Sequence, residues 1–200
     1  MRIIAGKFRG RELVTPQGSA TRPTGARARE ALFAILADLD GARVLDLYAG
    51  SGALALEALS RGAERAVLVE SNRAAQRAIR DNIATLGVTS QATLLPVRAE
   101  SASRALATLP PFTLIFADPP WADAQGALAV LERLVELSVV APAARLVLEH
   151  AARTPPMFRD DSPLVALDTR RWGDTAVTIF EPRAGDAVDA SISADPPSPS

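Results

Sequence analysis

The stretch "VLDLYAGSGALALEALSRGA", residues 44–63, changes character twice. An apolar strand ends at Asp46-Leu47-Tyr48. The turn Ala49-Gly50-Ser51-Gly52 follows, and a helix begins. Gly50 and Gly52 allow positive φ and the close approach of a ligand. The N–H groups at the helix start favour a polar or anionic group. Glu70, twenty residues after Gly50, ends the next apolar run. From there a carboxylate accepts bonds from ribose hydroxyls in a Rossmann-type crevice. A plain tight turn explains the glycines, but not their combination with Asp46 and Glu70. A nicotinamide dinucleotide fits poorly. Its pattern needs a third glycine where this chain has Ala55, and Asp46 would repel a pyrophosphate. A carboxylate there suits a cationic amino-acid moiety, and S-adenosylmethionine carries one beside its sulfonium and adenosine.

Outward from this turn the chain alternates between strands and helices. Apolar strands read at 43–49, 65–70, 92–97, 112–117 and 144–150, with helical stretches at about 53–61, 72–86, 100–108 and 124–138. Such alternation predicts an α/β fold, Rossmann-like, with a parallel sheet covered on both faces. Two further strands within 163–182, joined at Trp172-Gly173-Asp174, make a seven-stranded, mostly parallel sheet whose last strand is antiparallel. Upstream, 2–14 reads as a small β-hairpin and 22–39 as a helix with Thr24 as its N-cap. The expected organisation is a basic N-terminal unit over 1–40, a domain over 41–182, and a disordered tail over 183–200. That tail is too poor in large apolar residues to offset ordering.

Composition excludes several chemistries. The chain has no cysteine and one histidine, His150, so thiolate metal sites, disulfides, cysteine nucleophiles and histidine metal clusters are not expected. No apolar run reaches membrane-spanning length. A cytoplasmic monomer, with neither metal nor membrane partner, is the expectation. Charge is uneven. Residues 1–30 hold Arg2, Lys7, Arg9, Arg11, Arg22, Arg27 and Arg29 against Glu12 and Glu30, a net +5 in a chain of net −1. Three of these arginines gather at a helix start, the wrong end for the helix dipole. A polyanion contacted by that end explains them; a solvated basic terminus is the bland alternative.

A second motif, "FADPPW" (116–121), follows the fourth apolar strand. An unpaired Asp in a core is unfavourable, and prolines are excluded from central strands. Methylating a nucleobase amino group gives these residues a use. The flattened nitrogen must be made more tetrahedral and aimed. The Asp118 carboxylate and the Pro119 carbonyl supply two acceptors for its N–H bonds. Pro119 and Pro120 stiffen the loop, and Trp121 offers a face for an extruded base, stacking worth roughly 1–3 kcal/mol. Alone, the motif could be a strand terminated by Pro-Pro with Trp121 as a core cap.

On these motifs, with "RIIAGKFRGREL" (2–13), "RPTGARAREALF" (22–33), Glu70-Ser71 and "WGDT" (172–175), the chain resembles the RsmD family from Arg2 to about Pro182. The N-terminal segments carry that specificity, since the glycine turn and the D-P-P-aromatic motif are shared by many amino-group methyltransferases. The resemblance implies a class I fold and methylation of a guanine N2 at the 966-type site of 16S rRNA in the 30S subunit. It implies cofactor contacts at Asp46, Ala49, Gly50, Ser51, Gly52, Glu70 and Ser71, and RNA contacts along the basic unit. Family members often carry Asp or Asn where the third strand ends; here Arg98 stands there, and Glu100 or the Ala99 backbone takes the adenine. A DNA adenine N6-methyltransferase would need an inserted recognition domain, a protein glutamine methyltransferase favours Asn at 118, and a catalytically dead RNA-binding module would not need these intact motifs.

Overall fold

The computed structural model describes residues 1–16, 23–36 and 38–183, without the side chains of 23–26. Arg22 and the expected tail beyond Arg183 lie outside the described residues. Seven strands form one sheet: β1 (Arg43–Leu47), β2 (Arg65–Val69), β3 (Ala92–Leu95), β4 (Phe112–Ala117), β5 (Val140–Ala151), β6 (Leu164–Trp172) and β7 (Thr175–Pro182). Their order is β3-β2-β1-β4-β5-β7-β6. The first five pair in parallel, and β7 runs antiparallel between β5 and β6. The helices are α1 (Pro23–Leu36), α2 (Ala53–Ser60), α3 (Arg73–Leu86), α4 (Ser103–Leu106) and α5 (Ala124–Glu136).

The central strands are buried on both faces, as their unbroken apolar runs require. Val44, Phe116 and Val147 pack on one side with Leu32, Phe33, Leu56 and Ile79 of α1, α2 and α3. Leu45, Ile115 and Leu146 pack on the other with Leu128 and Leu131 of α5. Chain order reverses between β1 and β4, which places the switch-point crevice at their carboxyl ends. Both sequence motifs end there. Among the described residues no helix is long and apolar enough to cross a membrane.

Two local expectations change. Helix α1 begins at Pro23, so Thr24 lies inside its first turn rather than capping it; the fixed φ of proline suits a first helical position. The helix expected over 100–108 is a 3-10 turn (Ala99–Ser101) followed by the short α4. The expected N-terminal hairpin is present in short form: Arg2 bridges Glu12 antiparallel, flanked by backbone bonds between Met1 and Leu13, Ile3 and Arg11, and Ile3 and Gly10. Its middle is committed to α2. Glu57 accepts the N–H groups of Ile4 and Ala5 at 2.7 and 3.0 Å. The Ser60 carbonyl accepts Lys7 N–H, and the Ser60 hydroxyl accepts Phe8 N–H. A Cβ on Gly6 would stand 1.8 Å from the Ser60 carbonyl oxygen, so only glycine fits. Ile3 and Leu13 are buried in the core. The basic segment is therefore a docked part of the domain, presenting exposed Lys7, Arg9 and Arg11.

Candidate active site

Two depressions adjoin at the carboxyl ends of the parallel strands. The smaller, about 540 Å³, is walled by Glu70, Ser71, Asn72, Ala99 and Glu100. The wider, about 960 Å³, runs between the sheet, α1 and the N-terminal segment. Tyr48, Asp118, Pro119 and Pro120 border both, so the motif loop is the partition between them.

The glycine turn is fixed from three directions. Ala55 N–H donates to the buried Asp46 carboxylate at 3.1 Å. Gly50 N–H donates to one Glu70 oxygen at 2.8 Å, and Asn72 N–H to the other at 2.7 Å. The Asn82 amide of α3 donates to the carbonyls of Ser51 and Val14, and its oxygen accepts Val14 N–H. Asn82 thus ties the N-terminal segment directly to the turn; sequence reading missed it, because it looks like any helical Asn. The two glycines differ in purpose. A Cβ on Gly52 would stand 2.7 Å from Leu68 Cδ2, whereas one on Gly50 would meet nothing nearer than 3.9 Å. Gly52 serves packing. Gly50 has φ +58° and open space beyond it, as ligand approach requires.

Tyr48, also at positive φ (58°), is a non-glycine held in a strained conformation where the depressions meet. Its hydroxyl donates to Glu100 at 3.4 Å. Burial, with Glu100 and Asp123 nearby, holds the phenol well above its ordinary value. Glu100 is drawn below the carboxylate norm by a backbone N–H and by Arg98. Of the alternatives for the adenine, Glu100 is exposed and Ala99 buried, and both line the smaller depression.

Asp118 is open to solvent from the cleft yet enclosed by its walls. That shelter pushes its carboxyl up to about 6. Asp46, beneath it and fully buried, is raised by burial and then by Asp118 and Glu70. Only the ionised Asp118 accepts an N–H with both oxygens. kcat/KM is therefore expected to climb about tenfold per unit of pH below about pH 6 and to level off above it. A pH–rate profile checks this; a flat profile between pH 5 and 7 contradicts it.

The basic residues divide. Arg2 pairs with Glu12 at the surface, and Arg27 is exposed. Arg29 is buried, donating to the Arg2 carbonyl and Met1 Sδ. Its Nε has no partner among the described residues. The structure puts Arg29 to holding the N-terminus against α1, not to the outer surface. Trp121 opens a 3-10 turn (Trp121–Asp123) leading into α5 and lines the wider cleft.

A doubly wound sheet with an antiparallel last strand, a glycine turn and an acidic residue after β2 defines a class I methyltransferase. Comparison with known proteins narrows this. The family model described as conserved hypothetical protein 95 matches residues 1–181, and the chain belongs to this family, the RsmD family of rRNA methyltransferases. It is 35% identical over 185 residues to the proposed rRNA methyltransferase YlbH of Bacillus subtilis, covering 92% of this chain and all of that one. It is 43% identical over 122 residues to the ribosomal RNA small subunit methyltransferase D of Escherichia coli K12, 60% of each chain. A solved Escherichia coli structure, the proposed methyltransferase yhhF, superposes with TM-score 0.75 at 32% identity, covering 92% of this chain and 98% of that one.

Proposed function

We propose that this chain transfers a methyl group from S-adenosylmethionine to the exocyclic N2 of a guanine in 16S rRNA, at the 966-type site, within the assembling 30S subunit. The observation that carries this reading is the position of Asp118-Pro119-Pro120-Trp121 on the partition between the two depressions. The cofactor would span the smaller depression and the adjoining wall of the wider cleft that Asp46, Ala49, Gly50 and Ser51 line. Gly50 leaves open space, Glu70 has lone pairs for ribose hydroxyls beyond its two backbone bonds, and Glu100 with Ala99 would meet the adenine. Asp46 beneath the turn suits the amino-acid end. When bound, the cofactor supplies an electrophilic methyl on a sulfonium. The protein's part is positioning. Asp118 and the Pro119 carbonyl accept the two N2–H bonds, Trp121 stacks the extruded ring, and the Asp118 carboxylate is the acceptor for the proton released.

The test is transfer of labelled methyl to naked small-subunit rRNA, 30S particles and duplex DNA, after calorimetry with S-adenosylmethionine. Label confined to DNA adenine overturns the substrate, and absence of cofactor binding overturns the enzyme. The docked basic segment gives a further expectation. Arg9→Ala with Arg11→Ala weakens RNA binding and lowers the log–log salt slope by roughly 1–2. An unchanged slope in a salt titration removes the segment from the RNA interface.

A further inference from the structure

One carboxylate in the wider cleft has no part in the mechanism above. Strands β4 and β5 are in register at Ala117 and Leu148, so Asp118 and Glu149 are the next residues along neighbouring strands. Phe116 and Val147 face one core, Ala117 and Leu148 the other. Alternation therefore turns Asp118 and Glu149 to the same side, and both line the wider cleft with Trp121. Glu149 is half-buried between Leu148 and His150, which are 0% and 2% exposed. Strands lie about 4.8 Å apart, so two adjacent carboxylates span neighbouring positions on one purine edge.

We propose that Glu149 accepts the N1–H of the target base and thereby selects guanine over adenine. This rests on the guanine-N2 reading. Asp118 and the Pro119 carbonyl hold the amino group whichever purine carries it, so they do not discriminate. N1 does. In guanine it is a donor beside the N2 amino group; in adenine it is an acceptor. An ionised carboxylate only accepts, so adenine N1 facing Glu149 sets two acceptors against each other in a sheltered cleft. A site built to hydrogen-bond a group rejects analogues lacking it far more strongly than an apolar pocket does.

The experiment uses small-subunit particles reconstituted with rRNA carrying either guanine or 2,6-diaminopurine at the target position. The analogue keeps the 2-amino group but makes N1 an acceptor. For the wild-type enzyme, kcat/KM for guanine is expected to exceed that for the analogue by about 30-fold or more. Glu149→Gln can turn its amide N–H toward N1, and the ratio is expected to fall to within about threefold. Glu149→Asp retains a carboxylate and is expected to keep the preference for guanine at lower kcat/KM. A residue that merely supported the fold would lower both substrates together. An unchanged ratio in Glu149→Gln, with guanine still methylated by the wild type, overturns the role of Glu149 alone. Failure of the wild type to methylate guanine overturns the substrate reading as well.

Discussion

Asp118→Asn is expected to lower kcat by roughly 10²–10³-fold while leaving the dissociation constant for S-adenosylmethionine within about threefold. The geometry separates the two effects. Asp118 sits on the partition, but the glycine turn, which lines the wider cleft beside it, is fastened without it, by Glu70, Asp46 and Asn82. The substitution keeps the volume of the side chain and removes the charge. It also puts an amide N–H beside the substrate's own N–H groups. The attacking nitrogen then loses the acceptor that makes it more tetrahedral. Stopped-flow single turnover with calorimetry of the cofactor checks this. A large loss of cofactor affinity with little loss of turnover would move Asp118 out of the substrate site. The same variant should abolish the titration near pH 6, to which burial raises the Asp118 carboxyl.

The strand–helix alternation was readable because parallel strands buried on both faces are nearly continuous apolar runs, and Phe112–Ala117 is one of them. The crevice was readable for a related reason: the glycine turn and the D-P-P-W loop each follow an apolar run, and the parallel pairing of β1 with β4 brings those ends together. Long-range polar ties were not readable. Glu57 looks like an ordinary helix glutamate until the fold brings Ile4 and Ala5 onto it, 53 and 52 residues away in sequence. Asn82 is hidden the same way. The hairpin itself was readable, but its docking was not: Ile3, Gly10 and Leu13 N–H pair across the hairpin, while Ile4, Ala5, Lys7 and Phe8 N–H go to acceptors on α2. Charge alone likewise could not distinguish Arg29, turned inward, from Arg9 and Arg11, turned outward.

Docking of the N-terminal segment also has an energetic signature, and Glu57→Ala is expected to destabilise the fold by about 3–5 kcal/mol. The Glu57 side chain is 0% exposed and 2.7 Å from Arg61 Nε, whose side chain is 20% exposed. It also accepts Ile4 and Ala5 N–H. Removing it leaves a mostly buried guanidinium and two backbone donors without their acceptor, and unsatisfied buried donors retain their full desolvation penalty. A second cation suffers too. Burial lowers the Arg29 guanidinium from its ordinary value, Glu57 opposes that, and Arg61 adds to it; without Glu57, burial and Arg61 both act against the charge. Stacking of Arg61 over Phe33, 4.8 Å from the ring centroid, does not replace the lost acceptor. Urea unfolding should show a lower midpoint with little change in slope. Hydrogen exchange should show the amides of Ile4 and Ala5 losing protection first. Fast exchange at those amides with a loss of unfolding free energy below about 0.5 kcal/mol would mean the segment rests on a domain that stands without it. Loss of both together makes the N-terminal segment and the sheet domain one cooperative unit.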